Sequence, residues 1–135
     1  MLYPIYSAIK TRLASLNLPQ EWYNVQYEET MINESGIFVE FPEPLKFAGV
    51  SKDLRRAQVK IRLHIYSKAL RTTDGISDLT VDAHEGIAED VRDLLDGWKP
   101  GGIDCNRLEF TGWQHWHRYR GWMVTFVEFD AKKVL

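Results

Sequence analysis

The chain has 135 residues, of which 44% are hydrophobic and 27% charged, and it carries a net charge of -2 at pH 7. That composition fits one globular domain with one core, excludes a disordered chain, and disfavours free binding to DNA. A single Cys105 excludes an intrachain disulfide, and no apolar run approaches the roughly 20 residues of a membrane helix.

Along the chain, Pro4 to Leu16 reads as a helix, because Ile5, Ile9, Leu13 and Leu16 recur at helical spacing. Pro4 stands in its first turn, where a missing N–H costs nothing. Met1 to Tyr6 lacks the basic start and apolar stretch of a signal peptide, so a soluble, intracellularly made protein is expected. Trp22 to Glu28 alternates like a strand, and the turn at Asn33 to Gly36 predicts a hairpin return through Ile37 to Phe41. Pro42 and Pro44 then stop the ladder. The longest strand runs from Leu54 to Tyr66: Val59, Ile61, Leu63 and Ile65 form a core face, and Lys60, Arg62 and His64 face away from it.

A second helix is predicted from Asp82 to Asp96, with Asp82 and Glu85 as a capping box and Ile87, Val91, Leu94 and Leu95 as the buried stripe. Gly97 suits a left-handed end. Two strands close the chain, about Asn106 to Trp113 and Trp122 to Asp130. Phe-Val-Glu-Phe occurs at Phe38 to Phe41 and again at Phe126 to Phe129, hinting at a duplicated helix–strand–strand unit. The expectation is one α+β domain over 1–135, in the order α-β-β-β-α-β-β. Its mainly antiparallel sheet has both helices packed on one face.

Charge is banded. Pro19 to Leu45 carries -6, Lys46 to Thr72 carries +7 and Thr73 to Asp96 carries -7. Such alternation predicts complementarity within the fold or between copies.

Chemical motifs are incomplete. His84-Glu85 opens like a zinc-protease helix, but the second ligand position is Ala88. Asp74 to Glu85 imitates a calcium loop, yet Ile76 and Leu79 stand where a ligand and the turn glycine belong. His115 and His117 lack a neighbour that would complete a tetrahedral set. Cys105 is not placed beside a histidine by sequence, the zinc segment of a deaminase is missing, and Pro100 to Gly102 follows a helix instead of preceding one. No catalytic residue, metal or cofactor is therefore expected. The segment Trp113 to Trp122 interleaves Trp116, Arg118 and Arg120 with His and Tyr. That composition serves a protein hot spot or single-stranded nucleic acid. With the basic face it gives the candidate partner surface: Lys60, Arg62, His64, Trp113, Trp116, Arg118, Arg120 and Trp122.

The layout resembles the small tail-completion (tail terminator) and head–tail joining proteins of tailed bacteriophages and prophages. It shares with them the amphipathic first helix, the long basic strand ending near Tyr66 to Ala69, the acidic loop, the helix Asp82 to Asp96 and the last strand pair. The resemblance implies a non-enzymatic protein that forms a ring, commonly hexameric. Such a ring terminates the tail tube, meets the head connector and leaves a channel through which DNA passes without sequence-specific binding. It further implies assembly in the bacterial cytoplasm and a final place in a virion. The alternative expectation is a nucleic-acid-binding domain that uses the basic sheet face and the aromatic hairpin.

Overall fold

The computed structural model describes residues 1–28, 34–49 and 55–134. Helix α1 (Tyr3–Arg12) buries Ile5, Ile9 and the following Leu13 completely. A 3-10 turn over Ala14–Leu16 and left-handed Asn17 end it. Strand β1 (Gln20–Trp22) is short and runs parallel to β2 (Ser35–Glu40). The expected strand Trp22 to Glu28 is thus confined to its start, and it is not a hairpin partner. Val25 takes a φ of 65°, which a β-branched residue in a strand cannot hold, and Gln26–Glu28 curls into a 3-10 turn. The expected turn at Asn33 lies partly outside the described residues.

Strand β3 (Lys46–Gly49) and the long β4 (Arg55–Lys68) follow, then a small hairpin of β5 (Arg71–Thr72) and β6 (Gly75–Ile76). Helix α2 (Asp78–Leu95) begins one turn earlier than its capping box implied. Its N-cap is Ser77, so Asp82 lies inside the helix and most of the calcium-loop imitation is helical. Gly97 has the expected left-handed φ of 74°. Strands β7 (Glu109–Trp116) and β8 (Trp122–Val134) form the closing hairpin.

The main sheet has the order β1-β2-β4-β8-β7, and β3 also pairs with β4. Strands β2 and β3 follow one another along the same side of β4, since Glu40 pairs with Arg62 and Lys46 with Gln58. Pro42 and Pro44 lie between them, where they owe the ladder no N–H. Both helices cover one face. Val59, Ile61, Leu63 and Ile65 are at most 1% exposed there, packed with Ile9, Val91, Leu95, Val127 and Phe129. Burying each such side chain stabilises by about 1.5–3 kcal/mol, so this period-two stripe sets the register of the sheet.

Strand β7 hides its pattern behind a bulge. Phe110 pairs with Phe129 and Gly112 with Glu128, leaving Thr111 as the extra residue. Phe110 and Trp113, three apart, consequently face the same helix-side core.

Candidate functional site

The face turned away from the helices is built in rows across three strands. Phe38, His64 and Phe126 occupy one row, and Glu40, Arg62 and Glu128 the next but one. Arg62 meets Glu128 at 3.2 Å and Glu40 at 3.5 Å, with its guanidinium 4.9 Å from the Phe126 ring centre. Lys60 reaches Asp130 at 3.3 Å and donates to Thr111 Oγ1 at 3.0 Å. Lys60 and Arg62 do point away from the helices, but the face they share is charge-balanced rather than basic. Burial would raise the Glu40 carboxyl, yet the hydrogen bond and charge of His64 and the neighbouring Arg62 hold it below the ordinary carboxylate range.

His64 departs from the expected exposed stripe: it is 2% exposed. Tyr23 stacks on it at 4.3 Å between ring centres, and Phe126 lies at 4.5 Å. Burial lowers its pKa although the 2.7 Å bond to Glu40 works the other way. His64 is therefore part of a second core, made of Tyr27, Phe38, Tyr66, Val124 and Phe126 with Trp116, Tyr119 and Trp122 against it. Gly36 makes room for this core, since an added Cβ would lie 2.2 Å from Tyr66 Oη.

Of the eight candidate residues, Lys60, Arg62, His64, Trp116 and Trp122 share the face turned from the helices, with the His64 and Trp116 ring centres 6.3 Å apart. Trp113 packs on the helix side, while Trp116 and Trp122 are half-buried on the opposite face. Arg118 and Arg120 are exposed on the connection between β7 and β8, with Arg118 6.0 Å from the Tyr119 ring centre.

A polar chain missed by the sequence reading lies under α2. His84, fully buried, places Nδ1 2.8 Å from Ser67 Oγ and Nε2 2.8 Å from Thr125 Oγ1. Thr125 Oγ1 is 3.0 Å from His115 Nδ1, and His115 Nε2 is 3.0 Å from Glu85 Oε1. One proton assignment satisfies every link: Ser67 O–H donates to His84, His84 Nε2–H to Thr125, Thr125 O–H to His115, and His115 Nε2–H to Glu85. Burial and the nearby His115 push the His84 pKa down to about 4, so it is neutral at pH 7. Glu85 serves this chain instead of a capping box. Ser67 and His84 are spaced as a nucleophile and base would be, and both line a cavity of about 320 Å³ between the end of β4 and the start of α2, but Ser67 is only 6% exposed. The arrangement ties α2 to β4, β7 and β8. The available signal was polar side chains at core positions: His84 within the apolar stripe of α2, and Thr125 between Val124 and Phe126.

Cys105 is buried and bridges to Lys133, while His115 is opposite Thr125 on the same strand, roughly 25 Å further along at strand rise. Burial raises its thiol pKa, outweighing Lys133 and Lys99, which opposes thiolate chemistry. Among the described residues, no group of three or more His, Cys, Asp or Glu could hold a metal ion, and no helix is long and apolar enough to cross a membrane.

These features define an α+β fold with a helix-covered core on one face of the sheet and an aromatic second core on the other. Neither a protein-family model nor a curated protein matches the chain. In fold it is similar to a chain from the virion of a native gene transfer agent (GTA) particle, with a TM-score of 0.65 and 13% identity over 96% of this chain and 94% of that one. Another solved chain matches with a TM-score of 0.62 and 15% identity, covering 100% of this chain and 96% of that one. The likeness spans nearly the whole chain and is one of fold.

Proposed function

We propose that this protein is a non-enzymatic structural component of a phage-like particle. Within that class it acts as a tail terminator: a homo-oligomeric ring, hexameric in the common case, that ends the tail tube and joins it to the head connector. DNA passes through its channel without sequence-specific contact. The observation that carries the reading is the full-length fold likeness to a chain of a gene transfer agent virion. The balanced row Glu40–Arg62–Glu128 supports it further, because a face already neutralised within the chain offers little to phosphates. That weakens the nucleic-acid alternative, which relied on the face being basic. Arg118 and Arg120 at the exposed hairpin tip remain the partner-facing residues of the candidate set.

The test is native mass and negative-stain imaging of the purified protein at several concentrations, with and without isolated tail tubes. A ring, or capture on tube ends, is the expected result. A protein that stays monomeric at high concentration and ignores tube ends overturns the reading.

A further inference from the structure

The backbone brings two arginines to one cavity. Ala69 N–H donates to Gly121 O at 2.9 Å and Trp122 N–H to Tyr119 O at 3.2 Å. The chain leaving β4 is thereby pinned beside the connection between β7 and β8. Arg71, at the start of β5, and Arg120, on that connection, line a single cavity of about 410 Å³. Ile76, Val81, Met123, Trp116 and Trp122 make its wall mainly apolar. Glu85 and His115 also line it, but their polar atoms already have partners. His115 Nε2 lies 3.0 Å from Glu85 Oε1, and its Nδ1 lies 3.0 Å from Thr125 Oγ1. The arginines differ. Both are exposed, and neither forms an ion pair among the described residues, whereas Lys60 and Arg62 on the sheet face are each paired within the chain.

We propose that this cavity binds a segment of a partner protein in which a carboxylate neighbours a large apolar side chain. Arg71 and Arg120 hold the carboxylate, and the apolar side chain enters against Ile76 and Val81. A guanidinium meets a carboxylate in a planar, two-bond geometry. A concave apolar wall of this volume has room for one large side chain beside it. Arginine and tryptophan are also the residue types that dominate binding hot spots between proteins. Glu85 decides between two classes of anion. Two arginines against one glutamate leave one positive charge, which suits a carboxylate, while a chain of phosphates sets several negative charges against the same Glu85. The site lies within a single chain, so it goes beyond the tail-terminator reading and stands whether or not the protein forms a ring.

The experiment titrates the full protein with the peptide Gly-Ser-Glu-Phe-Ser-Gly, capped at both ends, and follows the indole N–H signals of Trp116 and Trp122 by NMR. Saturable binding that moves both signals is expected. Arg71→Ala and Arg120→Ala should each weaken it about tenfold. Glu85→Gln should strengthen it, and Arg118→Ala, on the same connection but outside the cavity, should leave it unchanged. Exchanging the peptide's glutamate for glutamine, or its phenylalanine for glycine, should remove saturation. Circular dichroism confirms that the variants fold. Absence of saturable binding overturns the proposal. So does an equal loss on Arg118→Ala and Arg120→Ala, which marks diffuse charge attraction. Binding of oligodeoxythymidylate in place of the peptide overturns it as well, by making the cavity a phosphate site. None of these results bears on ring formation, which native mass decides separately.

Discussion

Glu40 and Glu128 occupy the same register position on the two strands that flank Arg62, 3.5 Å and 3.2 Å from its guanidinium. Each belongs to one copy of the Phe-Val-Glu-Phe tetrapeptide, and both copies run antiparallel to β4. The repeat therefore builds matched rows on either side of β4: Phe38–His64–Phe126 and Glu40–Arg62–Glu128. It does not extend to the flanking pairings, because β1 is parallel to β2 whereas β7 is antiparallel to β8.

Arg62→Glu should destabilise the fold by about 1–3 kcal/mol, because it sets three carboxylates in one half-buried row. Urea denaturation of the variant checks this, and Arg62→Met should be milder. An unchanged midpoint for Arg62→Glu would mean that the row contributes no pairing energy. If the midpoint falls as expected, any effect of this substitution on assembly reads through the fold.

His84→Ala should cost about 3 kcal/mol, since it opens a cavity and leaves the Ser67 and Thr125 hydroxyls without their shared partner. The measurement is the denaturation midpoint, with amide exchange in α2 expected to rise more than in β2.

Acid should weaken the fold through the same residue. The unfolded chain takes up a proton at His84 near pH 6.5, but the folded chain does so only near pH 4. Stability is thus full above about 6.5 and declines towards 4, by up to about 3 kcal/mol. Burial lowers the His64 pKa as well and adds in the same direction. Urea midpoints between pH 7.5 and 4.5 test the slope, and His84→Leu should flatten it. An NMR titration in which His84 protonates near 6.5 would contradict the buried neutral assignment.

Gly36→Ala should be disruptive for a residue so small, costing about 1–3 kcal/mol, because the Tyr66 ring fills the space a Cβ requires. Loss of near-ultraviolet circular dichroism from the aromatic core, at constant far-ultraviolet signal, is the expected signature.

Trp116→Ala should cost about 3 kcal/mol through lost packing on Tyr27, Tyr119 and Phe126. Arg118→Ala and Arg120→Ala, at exposed positions, should change stability by less than about 0.5 kcal/mol. Denaturation of the three variants therefore separates the folding role of the tryptophan from any partner role of the arginines.

The sequence by itself determined the helix-covered half of the protein. Val59 to Ile65 alternate without a break, and Ile5, Ile9 and Leu13 recur at helical spacing, so local period alone specified which faces meet. It also carried the left-handed Gly97 and the end of β2 before Pro42, because those depend on single residues. Only the tertiary structure decided the other face. Its aromatic core draws Tyr23, Tyr27, Phe38, His64, Trp116 and Phe126 from distant segments, and no local period records that meeting. The bulge at Thr111 shifted Trp113 to the opposite face from the one simple alternation would give it relative to Phe110. The charge bands were legible, but pairing of Arg62 with Glu40 and Glu128 needed three strands side by side. The chain from Ser67 through His84 and Thr125 to His115 was hidden for the same reason: hydrogen bonds depend on atoms brought within about 3 Å, and sequence distance says nothing about that.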